Sequence, residues 1–194
     1  PDFLQAMEVE RCLLFPLFAT SWLIYDYLVD NAFFGAKQVL IGSVSSKTGF
    51  GLAWMLHSDR EVSQRVVGLT SAGNVAFVER LGCCDEVVVY GQESSIDATI
   101  PTAYVDMSGD VGLTTTLHNL LGENMVESAM VGATHWEQRG DTGTLPGAKP
   151  TFFFAPAQIA KRDSEWGPGV AMMKAMTASA EVAKTAREEL AVEW

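Results

Sequence analysis

Small and hydroxyl-bearing side chains are concentrated between Gly42 and Ala53, where an apolar segment gives way to a helix-like one. The stretch reads Gly-Ser-Val-Ser-Ser-Lys-Thr-Gly-Phe-Gly-Leu-Ala. Such residues let backbone N–H groups approach a phosphate, and the N-terminus of the following helix adds a partial positive charge. The dinucleotide fingerprint G-x-G-x-x-G is not met, because its first two positions, counted back from Gly51, are Ser46 and Thr48. Taken alone, this turn is a weak indicator of dinucleotide binding.

The pair Lys47-Thr48 raises the alternative of a nucleoside-triphosphate loop. That loop requires a glycine directly before the lysine, and here the position is Ser46. A second alternative is that this strand, turn and helix have a packing role and bind no ligand. That alternative leaves the four hydroxyl groups at Ser43, Ser45, Ser46 and Thr48 unexplained. Both alternatives stay open beside a dinucleotide site.

Apolar, β-branched runs alternate along the chain with helix-like segments, which is typical of a parallel sheet covered on both faces. Strands are predicted at Gln38–Gly42, Arg65–Thr70, Glu86–Tyr90, Thr102–Asp106, Met125–Gly132 and Pro150–Ala155. Helices are predicted at Ala19–Ala32, Gly49–His57, Ala72–Leu81, Gly112–Leu121, Gln158–Asp163 and Gly169–Ala191, and an exposed loop at Glu137–Lys149. We therefore expect an α/β fold, a Rossmann-type doubly wound parallel six-stranded sheet with flanking helices, which binds its ligand at the carboxyl ends of the strands.

The same pattern divides the chain into three parts. Residues 1–36 are expected to form a leading segment and a helix, residues 37–156 the nucleotide-binding domain, and residues 157–194 a C-terminal helical segment. The chain opens at Pro1, which suggests a truncated sequence.

Composition argues against several classes of protein. The formal net charge is −11 and no basic patch is visible, so nucleic acid is not an expected partner. The three cysteines give no paired framework, which favours a reducing, cytoplasmic compartment. The apolar run Cys12–Val29 contains Pro16 and Asp26 and falls short of the roughly 20 residues that a spanning helix needs, so no membrane association is expected.

In order and spacing, the motifs of this chain resemble the medium-chain dehydrogenase/reductase superfamily, particularly its zinc-independent, quinone-oxidoreductase-like members. The resemblance runs from Phe15 to Arg162. The turn Ser45–Thr48, together with Phe152–Pro156 and the pair Lys161-Arg162, resembles a little-characterised branch of that superfamily. The matching segments, in chain order, are Thr20–Leu28, Gly49–Ala53, Leu69–Ala72, Leu81–Tyr90, Asp106–Gly109 and Val131–Thr134.

The resemblance implies the cofactor-binding half of an oxidoreductase that moves hydride between NAD(P)H and a small carbonyl or enone-type substrate. The superfamily's N-terminal catalytic domain is absent from this sequence. Ser45 and Thr48 stand where relatives often have glycine, so hydroxyl groups and Lys47 are expected to help hold the phosphates. The residues expected to bind the cofactor are Ser45, Ser46, Lys47, Thr48, Gly49, Gly51, Thr70, Ser71, Asn74, Tyr90, Ser108, Gly109, Gly132, Ala133 and Thr134.

The end of the second predicted strand bears on the choice between NAD and NADP. NAD-preferring domains usually place a carboxylate there to bind the ribose hydroxyls, whereas this chain has Thr70 and Ser71 and no acid before Glu79. NADP is therefore favoured, although Asn74 replaces the lysine or arginine that NADP-preferring relatives commonly carry. Capping of the following helix is the alternative role for Ser71 and Asn74.

No catalytic residue is assigned from the sequence. His135 could contact the nicotinamide or face solvent, and Lys161 and Arg162 could meet an anionic substrate or form a solvated pair. The Cys83-Cys84 pair is more readily explained by packing than by redox chemistry.

Several enzyme classes lack their signatures. The histidines and cysteines show no zinc-ligand spacing, so no metal is expected, and neither a G-x-S-x-G elbow nor a Tyr-x-x-x-Lys pair occurs. The expected partners are a small-molecule substrate and, because Thr151–Ala155 is apolar at the predicted sheet edge, a second copy in a homodimer.

Overall fold

Six parallel strands form one sheet in the computed structural model, which describes residues 8–132 and 145–190. The strands are β1 (Gln38–Gly42), β2 (Arg65–Thr70), β3 (Glu86–Val89), β4 (Thr102–Asp106), β5 (Met125–Met130) and β6 (Thr151–Phe152). Their order is β3-β2-β1-β4-β5-β6, and every neighbouring pair is parallel. The order reverses between β1 and β4, the switch point at which doubly wound sheets bind ligands. The predicted Rossmann-type fold is confirmed.

Helices cover both faces of this sheet. They are α1 (Glu8–Asp30), α2 (Lys47–Ser58), α3 (Val75–Leu81), α4 (Val111–Leu121), α5 (Ala155–Trp166) and α6 (Val170–Leu190). Short 3₁₀ turns occur at Ala32–Gly35, Ala72–Asn74, Glu93–Ser95 and Gly122–Asn124.

Some predicted boundaries were wrong, each for a local reason. The strand predicted at Pro150–Ala155 contains only Thr151–Phe152, because α5 begins at Ala155 with proline in its first turn. The strand predicted from Met125 ends at Met130, where the chain turns to bond the end of β4. The first helix starts at Glu8 rather than Ala19 and contains Pro16. Of the predicted loop, residues 137–144 lie outside the described part of the chain.

The core is divided between the two faces of the sheet, as the alternation of side chains along each strand requires. Val39 and Ile41 of β1 belong to the larger cluster, which includes α1, α2 and α6. Leu40, between them, belongs with Tyr104 of β4 and Leu117 of α4 to the cluster on the opposite face. β1 is therefore buried on both sides, as expected for a central parallel strand.

Helix α1 is fixed to the beginning of α2 by one buried serine. Ser21 is fully buried, and its hydroxyl lies 2.8 Å from the carbonyl oxygen of Thr48 and 3.0 Å from that of Leu17. A Cβ on Gly51 would stand 2.6 Å from Ser21 Oγ and 2.9 Å from Phe18, so only glycine lets the two helices come this close. The leading helix is thus part of the same packed unit as the turn after β1.

A buried ion-pair network joins α1 to α5. Arg162 donates from Nε to Asp26 at 2.7 Å and from Nη2 to the other oxygen of the same carboxylate at 3.0 Å. Hydrogen bonding to Asp26 raises the pKa of the Arg162 guanidinium above its ordinary value. Lys161 pairs with Asp30, which Arg162 also contacts. Arg162 is therefore a buried partner of Asp26 rather than a solvated residue, whereas Lys161, 45% exposed, joins the same two helices at the surface.

Within residues 8–132 and 145–190, no helix has both the length and the apolar character needed to cross a membrane.

Candidate functional site

The turn after β1 is held in shape by three contacts from neighbouring strands and from its own side chains. Ser43 has a φ of +54° and donates its N–H to the hydroxyl of Tyr90 at 2.8 Å. Val44 donates its N–H to the carbonyl of Leu69 in β2 at 3.0 Å. Ser46 caps α2 by accepting from the N–H of Gly49 at 3.1 Å. The ring of Tyr90 therefore reaches from β3 across β2 to support the turn.

Two backbone N–H groups at the start of α2 remain available. Within the described residues, no acceptor is found for the N–H of Lys47 or Thr48, the first two residues of the helix. The side chain of Lys47 is exposed beside them. Free N–H groups, the positive end of a helix and a nearby ammonium group together suit an anion such as a pyrophosphate.

Ser45 connects this turn to the end of β2. Its hydroxyl oxygen accepts from the hydroxyl of Thr70 at 3.0 Å and from the side-chain amide of Asn74 at 3.1 Å. With two bonds accepted, its single O–H remains to donate to a ligand. Neither Ser71 nor Asn74 caps the turn that follows with its side chain, so the capping role considered for them is not observed.

The glycines of the turn have packing roles that the sequence did not reveal. A Cβ on Gly42 would stand 2.9 Å from the hydroxyl of Tyr104, and one on Gly49 would stand 2.6 Å from the carbonyl of Ser43. Gly51 faces α1 rather than the open side of the turn. We infer that these glycines allow close packing on the inner side of the turn. The hydroxyl groups and the helix N–H groups are then left to face a ligand.

Asp106, the last residue of β4, organises the next part of the same sheet edge. Its buried Oδ1 accepts from the N–H of Ser108 at 2.8 Å, the hydroxyl of Ser108 at 2.6 Å and the N–H of Gly109 at 3.1 Å. Its backbone oxygen accepts from the N–H groups of Val131 and Gly132 after β5. A Cβ on Gly132 would meet the carbonyl of Met107 at 2.4 Å. The loops after β4 and β5 are thus one hydrogen-bonded unit.

Tyr104 is a residue of this region that the sequence analysis did not single out. It is fully buried, and its hydroxyl lies close to the side chains of Asp106, Thr114 and Ser108. Burial and the nearby Asp106 carboxylate raise its pKa well above the usual value, so the group stays protonated. Because Tyr104 and Asp106 are two positions apart on one strand, they face the same side of the sheet, and this spacing was the available signal.

The predicted cofactor-binding residues that are described all follow the carboxyl ends of parallel strands. Ser45 to Gly51 lie after β1, Thr70 to Asn74 at and after β2, Tyr90 after β3, Ser108 and Gly109 after β4, and Gly132 after β5. Ala133, Thr134 and His135 lie outside the described residues. The structure brings the β1, β2 and β3 groups into direct contact through Ser43 and Ser45.

Metal and thiol chemistry find little support in the described residues. In that part of the chain, no group of three or more histidine, cysteine or acidic side chains is arranged to hold a metal ion. Burial, with smaller contributions from Cys83 and Asp85, raises the pKa of the Cys84 thiol to about 12, so it is not a ready nucleophile.

Comparison with solved structures identifies similar folds. The YhdH oxidoreductase from Salmonella enterica in complex with NADP has a TM-score of 0.53 at 11% identity, over 87% of this chain and 49% of that one. The D-arabinose dehydrogenase from Sulfolobus solfataricus has a TM-score of 0.48 at 15% identity, over 87% and 48% of the two chains. A mutant enoyl thioester reductase from Candida tropicalis has a TM-score of 0.46 at 12% identity, over 82% and 45%. The chain thus spans about half the length of these proteins, and at such identities the likeness shows the fold alone.

Sequence comparison places the chain in a family without assigning an activity. No curated protein matches it. The family model described as "Protein of unknown function (DUF2855)" matches residues 3–194. Since that match covers nearly the whole sequence, the chain belongs to the DUF2855 family.

Proposed function

We propose that this chain is the NAD(P)-binding domain of a zinc-independent oxidoreductase of the medium-chain dehydrogenase/reductase type. The observation that carries the proposal is the acid-free polar cluster formed by Ser45, Thr70 and Asn74, next to the free N–H groups of Lys47 and Thr48. It lies at the carboxyl edge of a sheet with the strand order 3-2-1-4-5-6 that is typical of dinucleotide-binding folds. The structural likeness to YhdH, which was solved with NADP, supports the same assignment.

The structural features of the site fit a dinucleotide in two places. The N-terminus of α2, with its two free N–H groups and Lys47, would hold the pyrophosphate. The adenosine ribose would then lie at the end of β2, where Thr70 and Asn74 present no negative charge. A 2′-phosphate would meet the exposed Ser71 hydroxyl and the second N–H of the Asn74 amide there without repulsion, which supports a preference for NADP over NAD.

Hydride transfer to or from a small carbonyl or enone-type substrate is proposed as the reaction. The nicotinamide supplies that chemistry, and the residues described here would bind and orient it. Because the chain spans about half the length of the similar enzymes, turnover is proposed for a protein that contains a catalytic domain as well. Cys84, whose thiol is in no disulfide among the described residues, supports a reducing compartment such as the cytoplasm.

Titration with NADPH, NADH and Mg-ATP tests the proposal. Nicotinamide fluorescence reports binding of the reduced cofactors, and thermal stabilisation reports all three ligands. We expect NADPH to bind more tightly than NADH, and Ser71→Asp to weaken NADPH binding relative to NADH, because a new carboxylate would repel the 2′-phosphate. Binding of Mg-ATP without either nicotinamide would overturn the proposal in favour of a nucleoside-triphosphate loop. Dinucleotide binding without turnover by a longer protein would instead indicate a sensing or structural module.

We also propose that two copies of the chain associate along β6. Among the residues that the structure describes, β6 pairs with β5 alone, and the side chains of Phe152 and Phe154 are 49% and 59% exposed. Unpaired edges with apolar side chains are generally covered by another strand. Sedimentation velocity should show a dimer that Phe154→Lys dissociates, whereas Met173→Lys, at an exposed position of α6, should leave it intact. A monomeric wild-type chain would contradict this proposal.

A further inference from the structure

Ser43, the first residue after β1, has a backbone conformation that a side chain disfavours. Its φ of +54° lies in the left-handed region, which glycine adopts freely and residues with a Cβ atom avoid. Within the described part of the chain, the other non-glycine residues with positive φ are Ala32, Phe33 and Phe34, between α1 and β1. Such a conformation persists only where the surrounding structure holds it, and it is often found at functional sites.

The conformation of Ser43 determines how the chain enters the proposed cofactor site. The carbonyl oxygen of Ser43 accepts from the N–H of Ser46 at 2.9 Å, which closes the turn, and Ser46 then caps α2. The hydroxyl of Ser45 and the free N–H groups of Lys47 and Thr48 follow directly from this turn. A different φ at Ser43 would therefore move every group that is proposed to meet the pyrophosphate.

Tyr90 is the residue that holds Ser43 in this conformation. Its hydroxyl oxygen accepts from the N–H of Ser43 at 2.8 Å, and its own N–H donates to the carbonyl of Thr70 at 3.0 Å, which fixes its backbone beside β2. Burial raises the pKa of the Tyr90 phenol, while the N–H and the hydroxyl of Ser43 act in the opposite direction. The phenol is thus a neutral, partly buried hydroxyl group bound to the strained residue.

We propose that Tyr90 is a positioning residue of the dinucleotide site, which raises cofactor affinity by keeping Ser43 in the left-handed conformation that the turn requires. It acts on the backbone of Ser43 and does not touch the ligand. The apparent Kd rises as the fraction of molecules with a competent turn falls, so loss of the Tyr90 hydroxyl weakens binding without removing a ligand contact. This inference rests on the proposed function, because it takes a dinucleotide as the ligand.

The effect of Tyr90→Phe in three backgrounds tests this role. In the wild-type background, the Kd for NADPH should rise about threefold to tenfold, the value of one net hydrogen bond. Ser43→Ala removes the hydroxyl but keeps the Cβ atom and the N–H, so Tyr90→Phe should have the same effect there. Ser43→Gly removes the strain, and in that background Tyr90→Phe should raise the Kd by no more than about twofold.

Comparison with NADH distinguishes positioning from direct contact. The turn has to be in its competent conformation before either cofactor binds, so Tyr90→Phe should raise the Kd for NADH by the same factor as the Kd for NADPH. A phenol that donated to the 2′-phosphate would affect NADPH alone.

Tyr25→Phe is the matched control, because the hydroxyl of Tyr25 donates to Asp59 at the far end of α2. It should lower the Tm and leave the affinity for NADPH unchanged. Equal effects of Tyr90→Phe in all three backgrounds, an effect on NADPH alone or no effect at all would each overturn the positioning role and leave the proposed function standing. If the wild-type protein bound no dinucleotide, both would be overturned together.

Discussion

The side-chain amide of Asn74 donates to the hydroxyl of Ser45 at 3.1 Å and so joins the loop after β2 to the turn after β1. Thr70 donates to the same oxygen at 3.0 Å. The three side chains therefore form a preformed polar group in which the O–H of Ser45 has no acceptor among the described residues. Such a group needs no rearrangement before it binds an anion, which favours affinity through preorganisation.

Replacing Ser45 tests whether this polar group contacts the cofactor. Ser45→Ala removes the O–H and the acceptor shared by Thr70 and Asn74, so we expect the Kd for NADPH to rise about tenfold, the effect of one hydrogen bond to a charged group. Fluorescence titration measures it. Ser164→Ala, which removes an exposed hydroxyl of α5 bonded only to the carbonyl of Lys161, should leave the Kd unchanged. Equal NADPH affinities of the wild type, Ser45→Ala and Ser164→Ala would show that Ser45 does not contact the cofactor.

Gly51 should be intolerant of even the smallest side chain. Gly-to-Ala changes inside helices ordinarily stabilise, but here the added methyl group would stand 2.6 Å from Ser21 Oγ and force α1 and α2 apart. We expect Gly51→Ala to lower the free energy of unfolding by about 1–3 kcal/mol in urea titrations.

The control for this change is Gly73→Ala. Gly73 lies in an exposed 3₁₀ turn, has no atom within 4 Å of its Cβ position and does not require positive φ. Its substitution should be neutral or slightly stabilising. A stable Gly51→Ala protein would show that α1 can move away from α2 at little cost.

The strands of the sheet were predictable from the sequence where they are buried and rich in β-branched residues. The limits of Arg65–Thr70 match the prediction, and the apolar centre of this strand, Val66–Leu69, has a polar residue on either side. The partner of Arg162 was not predictable, since Asp26 lies 136 residues away and only the packing of α1 on α5 brings them together.

Arg162 should be more important for stability than a surface arginine, because its side chain is only 9% exposed. Arg162→Met keeps much of the apolar stem but leaves the buried carboxylate of Asp26 without its bidentate partner. Removing one member of a buried pair typically costs about 3–5 kcal/mol, and we expect a loss of that size in the free energy of unfolding.

A double substitution distinguishes the unpaired charge from lost packing. Asp26→Leu in the Arg162→Met background should recover much of the stability, since well-packed apolar pairs often replace buried ion pairs without loss. As a control, Arg65→Met breaks a more exposed pair with Glu86 and should cost less than about 1 kcal/mol. A small effect of Arg162→Met would mean that Gln158, which also donates to Asp26, satisfies the carboxylate alone.

Glu127 should make the protein less stable at neutral pH than at mildly acidic pH. It is 9% exposed on β5, and its Oε1 has no hydrogen-bond partner within the described residues. Burial raises its pKa, while the Tyr27 hydroxyl and the Ser128 N–H act in the opposite direction. A carboxyl whose pKa is higher in the folded than in the unfolded chain binds a proton more tightly when folded. Its contribution to stability therefore grows as the pH falls through the folded pKa and is constant below the unfolded value of about 4.3.

Glu127→Gln removes this titration while keeping the shape of the side chain. At pH 7 the variant should be more stable than the wild type, because no charge has to be buried, and the difference should shrink as the pH falls toward about 4.3. Urea unfolding at several pH values measures it, with Glu123→Gln, at an exposed position, as the control that should follow the wild type. A constant difference between Glu127→Gln and wild type across this range would show that Glu127 keeps its ordinary pKa in the folded protein, and the unpartnered oxygen would then be reached by solvent.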